Sequence, residues 1–235
     1  MKKAFTLAET LIALIIIGII AAMILPTLIQ KHKNLEVQTK LKKFYFAINQ
    51  AIVLAEMDYG NRKYWHEDIN SAQYDDDGNI TGYDATAIAT WCDKYLVPYM
   101  NIVKTETTSD GFYIMYLADG SAFSSNSDSS TDWLFYTHYD DEKCKYTNNL
   151  SDDYSAVGKC VFAFGFDPDA TDSRMSYLKN KGFEPYQYNW DGDIDTLYSH
   201  SVYGCNENSA TNLYCTAIIM LNGWKIPDDY PHKVR

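Results

Sequence analysis

Positive charge is scarce over most of this chain. Residues 61–235 carry 13 Lys and Arg against 27 Asp and Glu, and the 235 residues together sum to −11. Such a surface does not supply the clustered Lys and Arg that neutralise phosphates, so nucleic-acid binding by charge is not expected. Metal-ligand cysteine spacing is also missing. None of Cys92, Cys144, Cys160, Cys205 and Cys215 forms a CxxC pair, which argues against a zinc site. His32, His66, His138, His200 and His232 are scattered, with no HExxH and no triad-like spacing. Nothing favours a Cys–His nucleophile, and the chain does not read as an enzyme. No internal repeat is present.

The acidic stretch is instead rich in Tyr, Asp, Asn and Ser, a composition that suits an extracytoplasmic surface. In that setting the cysteines read as disulfides. Cys205 and Cys215 enclose the shortest loop and form the first expected pair. Cys144 with Cys160 is the second, which leaves Cys92 over; the alternative is that all five are reduced.

The front of the chain is built differently. From Leu7 to Ile29 the only polar residues are Glu9, Thr10 and Thr27. At 1.5 Å per residue this stretch spans about 35 Å as a helix, enough to cross a hydrocarbon core of about 30 Å. A cleaved secretory signal has a shorter apolar region and ends in an A-x-A-like site. Ala21-Ala22-Met23 lacks that pattern, and no Cys follows in lipoprotein position. One carboxylate, Glu9, sits inside the run. An ionised Glu at the bilayer centre costs roughly 2.5–3.5 kcal/mol, so it calls for a partner.

Lys2-Lys3, the small residue Ala4 and then FTLAE resemble the prepilin signal of type IV pilins and of the related pseudopilins of type II secretion systems. The resemblance implies that a membrane aspartyl peptidase cuts between Ala4 and Phe5 on the cytoplasmic side and methylates Phe5. The family usually carries Gly where this chain has Ala4. Glu9 would then pair with the new Phe5 amine, that of a neighbouring subunit entering a filament, which relieves the cost of the buried charge. Gly18 and Pro26 bracket seven residues of otherwise strong helix. Proline removes a helical hydrogen bond and favours a kink, and pilin filaments commonly unwind the corresponding segment.

The resemblance also implies a single-pass inner-membrane protein with a cytoplasmic N-terminus and an extracytoplasmic head, later drawn into a filament. Its partners would be the prepilin peptidase, other pilin or pseudopilin subunits, and an inner-membrane assembly platform with its ATPase. Charge alone argues the other way. Only Lys2 and Lys3 precede the span, whereas Lys31, Lys33, Lys40, Lys42 and Lys43 follow it, and positive charge normally marks the cytoplasmic side. The leader context and the secreted character of the head decide for the extracytoplasmic placement.

Beyond the span, Leu41, Phe44/Tyr45, Ile48, Ile52 and Ala55 recur at three-to-four spacing, an apolar helical stripe that needs covering. Gly60-Asn61 is the expected stop. The predicted organisation is a leader (1–4), a transmembrane or filament-core helix (5–29), its continuation (30–59) and a head (60–235). The fold class is α+β: a pilin-like lollipop with an antiparallel sheet packed on the rear of the long helix.

Within the head, Asp84 caps a helix carrying Ile88, Trp91, Cys92 and Tyr95, and FYIMYLADGSAF predicts two strands around an Asp119-Gly120 turn. Gly158–Phe166 reads as a buried strand. TDSRMSYLKNKG reads as a short helix capped by Thr171 or Asp172 and stopped by Gly182. YCTAIIMLNGWKI reads as a strand, an Asn222-Gly223 turn and a return, and residues 121–132 read as a mobile loop.

Two acidic runs offer the only ligand chemistry. Asp75, Asp77 and Asn79, and likewise Asp191, Asp193 and Asp195, alternate as hard oxygen ligands for calcium can. Neither run has the full EF-hand pattern, and both also read as polar turns. No other cofactor than calcium is suggested by the sequence. Tyr186-Gln187-Tyr188-Asn189-Trp190 could stack on a sugar or a partner.

Three functions stay open: a type II secretion pseudopilin, a type IV pilin for adhesion or DNA uptake, and a membrane-anchored module that binds a glycan or a partner protein.

Overall fold

The computed structural model describes residues 7–65, 72–77, 80–83, 85–108, 112–126, 129–139, 144 and 154–235. A single helix, α1 (Leu7–Tyr59), dominates the chain and, at 53 residues, is about 80 Å long. Its rear half buries Val37, Leu41, Phe44, Ile48, Ala51, Ile52 and Ala55, the predicted stripe extended by one turn. Gly60 ends the helix with a left-handed φ of +80° and donates its N–H to Glu56 O at 2.9 Å. Only glycine adopts this geometry freely.

The stripe lies against a six-stranded antiparallel meander. Its strands are β3 (Ile102–Thr107), β4 (Tyr113–Leu117), β5 (Ala122–Asn126), β6 (Ser129–Tyr136), β7 (Val161–Gly165) and β8 (Glu184–Pro185), in spatial order β3-β4-β5-β6-β7-β8. A separate hairpin, β1 (Ala72–Tyr74) and β2 (Ile80–Tyr83), precedes α2 (Ala85–Tyr95). The two-residue period of the strands sorts their side chains. Tyr113, Met115, Phe123, Trp133, Phe135, Phe162 and Phe164 face α1 and the Ile88, Trp91, Cys92 and Tyr95 side of α2. Ile114, Ala122, Leu134, Tyr136, Val161 and Ala163 face the opposite layer with Leu197 of α3 (Ile194–Ser199) and Ala217 of α4 (Cys215–Leu221). Phe44 is the keystone, 4.4 Å from Phe135, 5.0 Å from Phe123 and 5.2 Å from Phe164 between ring centroids. This is the predicted α+β architecture, a long helix whose rear half carries an antiparallel sheet.

Two head assignments are corrected. Of residues 121–132, expected as a loop, 122–126 form β5 and 129–132 the start of β6, at the centre of the sheet. Ser124 and Ser125 are buried there, and the Ser124 hydroxyl lies 3.3 Å from the Tyr136 hydroxyl. Ladder bonds on both sides satisfy the backbone, so small polar residues are accepted where their composition suggests a loop. The second correction is Cys215–Leu221, which is a helix and not a strand. Residues 215–219 are all buried, which erases the periodicity that separates the two states. Asn222 and Gly223 (φ +70°) close the helix instead of a hairpin.

The TDSRMSYL segment is a 3₁₀ helix, Ser173–Leu178, capped by Asp172. Gly182 lies beyond its end and serves closeness: a Cβ there would collide with the Asn49 amide of α1, which donates to Phe183 O at 2.9 Å. Asp84, expected to cap α2, lies outside the described residues.

Candidate membrane and assembly surface

Residues 7–29 of α1 are exposed, with Ala21 alone half-buried. The stretch is long and apolar enough to cross a membrane, and its apolar window is not buried by the described residues of the head. It includes Leu11, Ile12, Leu14, Ile15 and Ile16, all at least half exposed. In water this face would be a large hydrophobic liability, so it belongs in lipid or against other chains. Ala4 and Phe5, the expected cleavage and methylation residues, lie outside the described residues. Glu9 stands in the first turn of α1. The backbone is helical without a break through Gly18 and Pro26. The unwinding that the resemblance implies for filaments is therefore not a property of the single chain.

Past the span, charged residues of α1 reach residues of the head that are distant in sequence. Glu36 Oε1 accepts from Lys40 Nζ at 3.0 Å and lies 2.9 Å from His138 Nε2. Lys40 also donates to Thr137 O at 2.9 Å. Burial pushes the Glu36 carboxyl up, but Lys40 and His138 together outweigh it and hold the group below its usual value. Lys43 reaches Asp119, in the β4–β5 turn, at 2.9 Å. Thus two of the five lysines that seemed to argue for a cytoplasmic head are spent on joining stem to head. At the far end, Arg62 grips Glu56 in a fork, Nε to Oε1 at 2.8 Å and Nη2 to Oε2 at 2.5 Å.

The structure brings together both expected cysteine pairs: Cys144–Cys160, with Cα atoms 5.6 Å apart, and Cys205–Cys215, with Cα atoms 4.8 Å apart. Cys92 is free and buried in the core beside α1. Cys205 and Cys215 also lie near His232, and among the described residues these three form the one close group of potential metal ligands. Their sulfurs are bonded to each other, which removes the thiolates a metal would need.

The acidic runs serve as turn and cap residues. Asp75 Oδ1 accepts from the Asp77 N–H at 3.1 Å between β1 and β2, and Asn79 is outside the described residues. Asp191 Oδ1 accepts from the Asp193 N–H at 2.9 Å, and its Oδ2 from the Thr196 hydroxyl at 2.9 Å. Those donors hold the Asp191 carboxyl below its usual value. Asp193 in turn caps α3 through the Asp195 N–H at 3.0 Å.

The tyrosine run folds into an aromatic cluster. Tyr186, Tyr188, Tyr203 and Tyr214 lie with neighbouring centroids 5.6–6.4 Å apart, and the Arg174 guanidinium covers Tyr188 at 5.1 Å. A cavity of about 160 Å³ opens beside it, bordered by Asp132, Tyr154, Tyr186 and Tyr203. Long-range pairs such as Glu36–His138 and Asn49–Phe183 carried no sequence signal.

Residues 27–234 match a family described as "Family of unknown function (DUF6613)", and the chain belongs to that family. The match begins beside Pro26 and runs through the rear of α1 and the whole head. No curated protein and no solved structure gives a significant match.

Proposed function

We propose that this chain is a prepilin-like filament subunit that works by assembly, first as a pseudopilin of a type II secretion system. The leader is cut between Ala4 and Phe5, Phe5 is methylated, and Glu9 pairs with the methylated amine of a neighbouring subunit. The energy for extraction comes from a platform ATPase, and the chain itself needs no catalytic site. The observation that carries this reading is the division of α1: residues 7–29 are apolar and uncovered while the rear half is roofed by an antiparallel sheet. The FTLAE leader supports it from the other end.

Replacing Glu9 with Ala tests the pairing. Cleavage should proceed almost as in the wild type, because the scissile bond is untouched, while incorporation into filaments falls sharply. Normal incorporation of Glu9→Ala would remove the pairing role.

The aromatic cluster and its cavity favour a second reading, a membrane-anchored module that binds a glycan. Saturable glycan binding lost in Tyr203→Ala, by a chain whose leader is never cut, would move that reading to the front.

A further inference from the structure

The head is acidic, yet the cations of its base gather at one level. Gln30, the first residue after the apolar span, donates its side-chain amide to Val234 O at 3.2 Å. The Arg235 N–H donates to Lys159 O at 3.0 Å. These two bonds pin residues 234–235 and the turn before β7 to the point where α1 leaves the span. Lys31 and Lys33 follow Ile29 by no more than about 6 Å along the helix axis. Lys31, Lys33, Lys159, Lys233 and Arg235 therefore come from three separated stretches to one end of the head. None of them forms an ion pair among the described residues, whereas Lys40 and Lys43 do. Glu36, the acid that follows within a turn on α1, is occupied by Lys40 and His138. A polar cleft of about 600 Å³ opens between Lys159 and Lys233, with Ser155, Asn212 and His232 as further lining and Glu207 as its one carboxylate.

We infer that this collar is a docking surface for anionic phospholipid headgroups, which holds the base of the acidic head against the membrane. The inference rests on the membrane-anchored reading above. Lipid is favoured over an acidic protein partner by position: the cations stand at the level where the apolar span ends, where headgroup phosphates lie. Juxtamembrane Lys and Arg are attracted to an anionic surface within about a Debye length. Outside the collar, residues 61–235 set ten Lys and Arg against 27 Asp and Glu, and that surface would be repelled. Such a surface orients the head and opposes its extraction until assembly replaces the contact.

The test uses the full chain in vesicles of phosphatidylcholine, with or without phosphatidylglycerol, and reads lysine acetylation by mass spectrometry. Lys159 and Lys233 should be acetylated about fivefold more slowly with the anionic lipid, and molar salt should restore the rate. Lys63, beyond the far end of α1, should not change. Equal rates in both vesicles would overturn the inference. So would equal protection by inorganic phosphate added to phosphatidylcholine vesicles, which would mean a free-anion site. Protection that follows protein density and not lipid charge would assign the collar to a neighbouring acidic head. Resistance of the chain to alkaline extraction reports the anchor separately: a chain that is washed off refutes the membrane reading itself.

Discussion

The two halves of α1 are one continuous helix under two different solvents. The rear half has a stripe of buried positions under aromatic side chains, and its other sides mix polar residues with the exposed Leu35, Phe46, Val53 and Met57. The front half is apolar all round and covered by none of the described residues. Helix propensity does not distinguish them; the identity of their intended surroundings does. A helix that is hydrophobic on every side is built for lipid or for copies of itself, and a striped one is built for its own head.

Truncations to Ala should therefore act very unequally along α1. The largest effect is expected at Phe44, whose ring meets Phe123, Phe135 and Phe164. Phe44→Ala should cost about 3–5 kcal/mol of head stability in denaturant unfolding of the detergent-solubilised chain. Leu14→Ala, at a side chain 65 % exposed, should leave the same transition where it was. Equal losses at both positions would break the comparison.

Disulfide reduction comes next. Cys144–Cys160 and Cys205–Cys215 lie in the layer away from α1, and losing either should cost about 2–4 kcal/mol. Alkylation without reductant should mark no cysteine in the native chain and Cys92 alone after unfolding, since burial raises the Cys92 thiol well above its usual value.

The Glu56–Arg62 fork sharpens the far end of the stem. Glu56→Gln should cost about 1.5–3 kcal/mol near neutral pH. The Arg62 hydrogen bonds, opposed by partial burial, hold the Glu56 carboxyl below its ordinary value of 4.5. A depressed folded value means the stabilisation is present above that pH and is lost as pH falls through the folded value. The thermal midpoints of wild type and variant should thus converge on the acid side. The smallest effect is expected in the layer on the other face of the sheet: Asp193→Ala removes the cap of α3 and should cost about 1 kcal/mol in the same unfolding measurement.

Where a residue's surroundings are local, the sequence was readable. The stripe from Leu41 to Ala55, the Gly60 stop, a cap at Thr171 or Asp172 and both disulfides follow from spacing, turn chemistry and loop length. Where the surroundings come from distant chain, it was not. Ser124 is a strand residue because β4 and β6 flank it, and Cys215–Leu221 is a helix although its run of buried residues has no period. Nor could spacing reveal that His138 meets Glu36, or that Gly182 exists to let Asn49 approach. The collar at the base is of the same kind, three stretches that only the fold brings together.

The most direct test of the central claim is the N-terminal mass of the membrane-extracted chain, with and without a co-expressed prepilin peptidase. The account predicts a chain that starts at Phe5 and carries one added methyl group when the peptidase is present. Persistence of Met1-Lys2-Lys3-Ala4 in its presence would contradict it, because Glu9 would then have no new amine to meet and α1 would be an ordinary anchor.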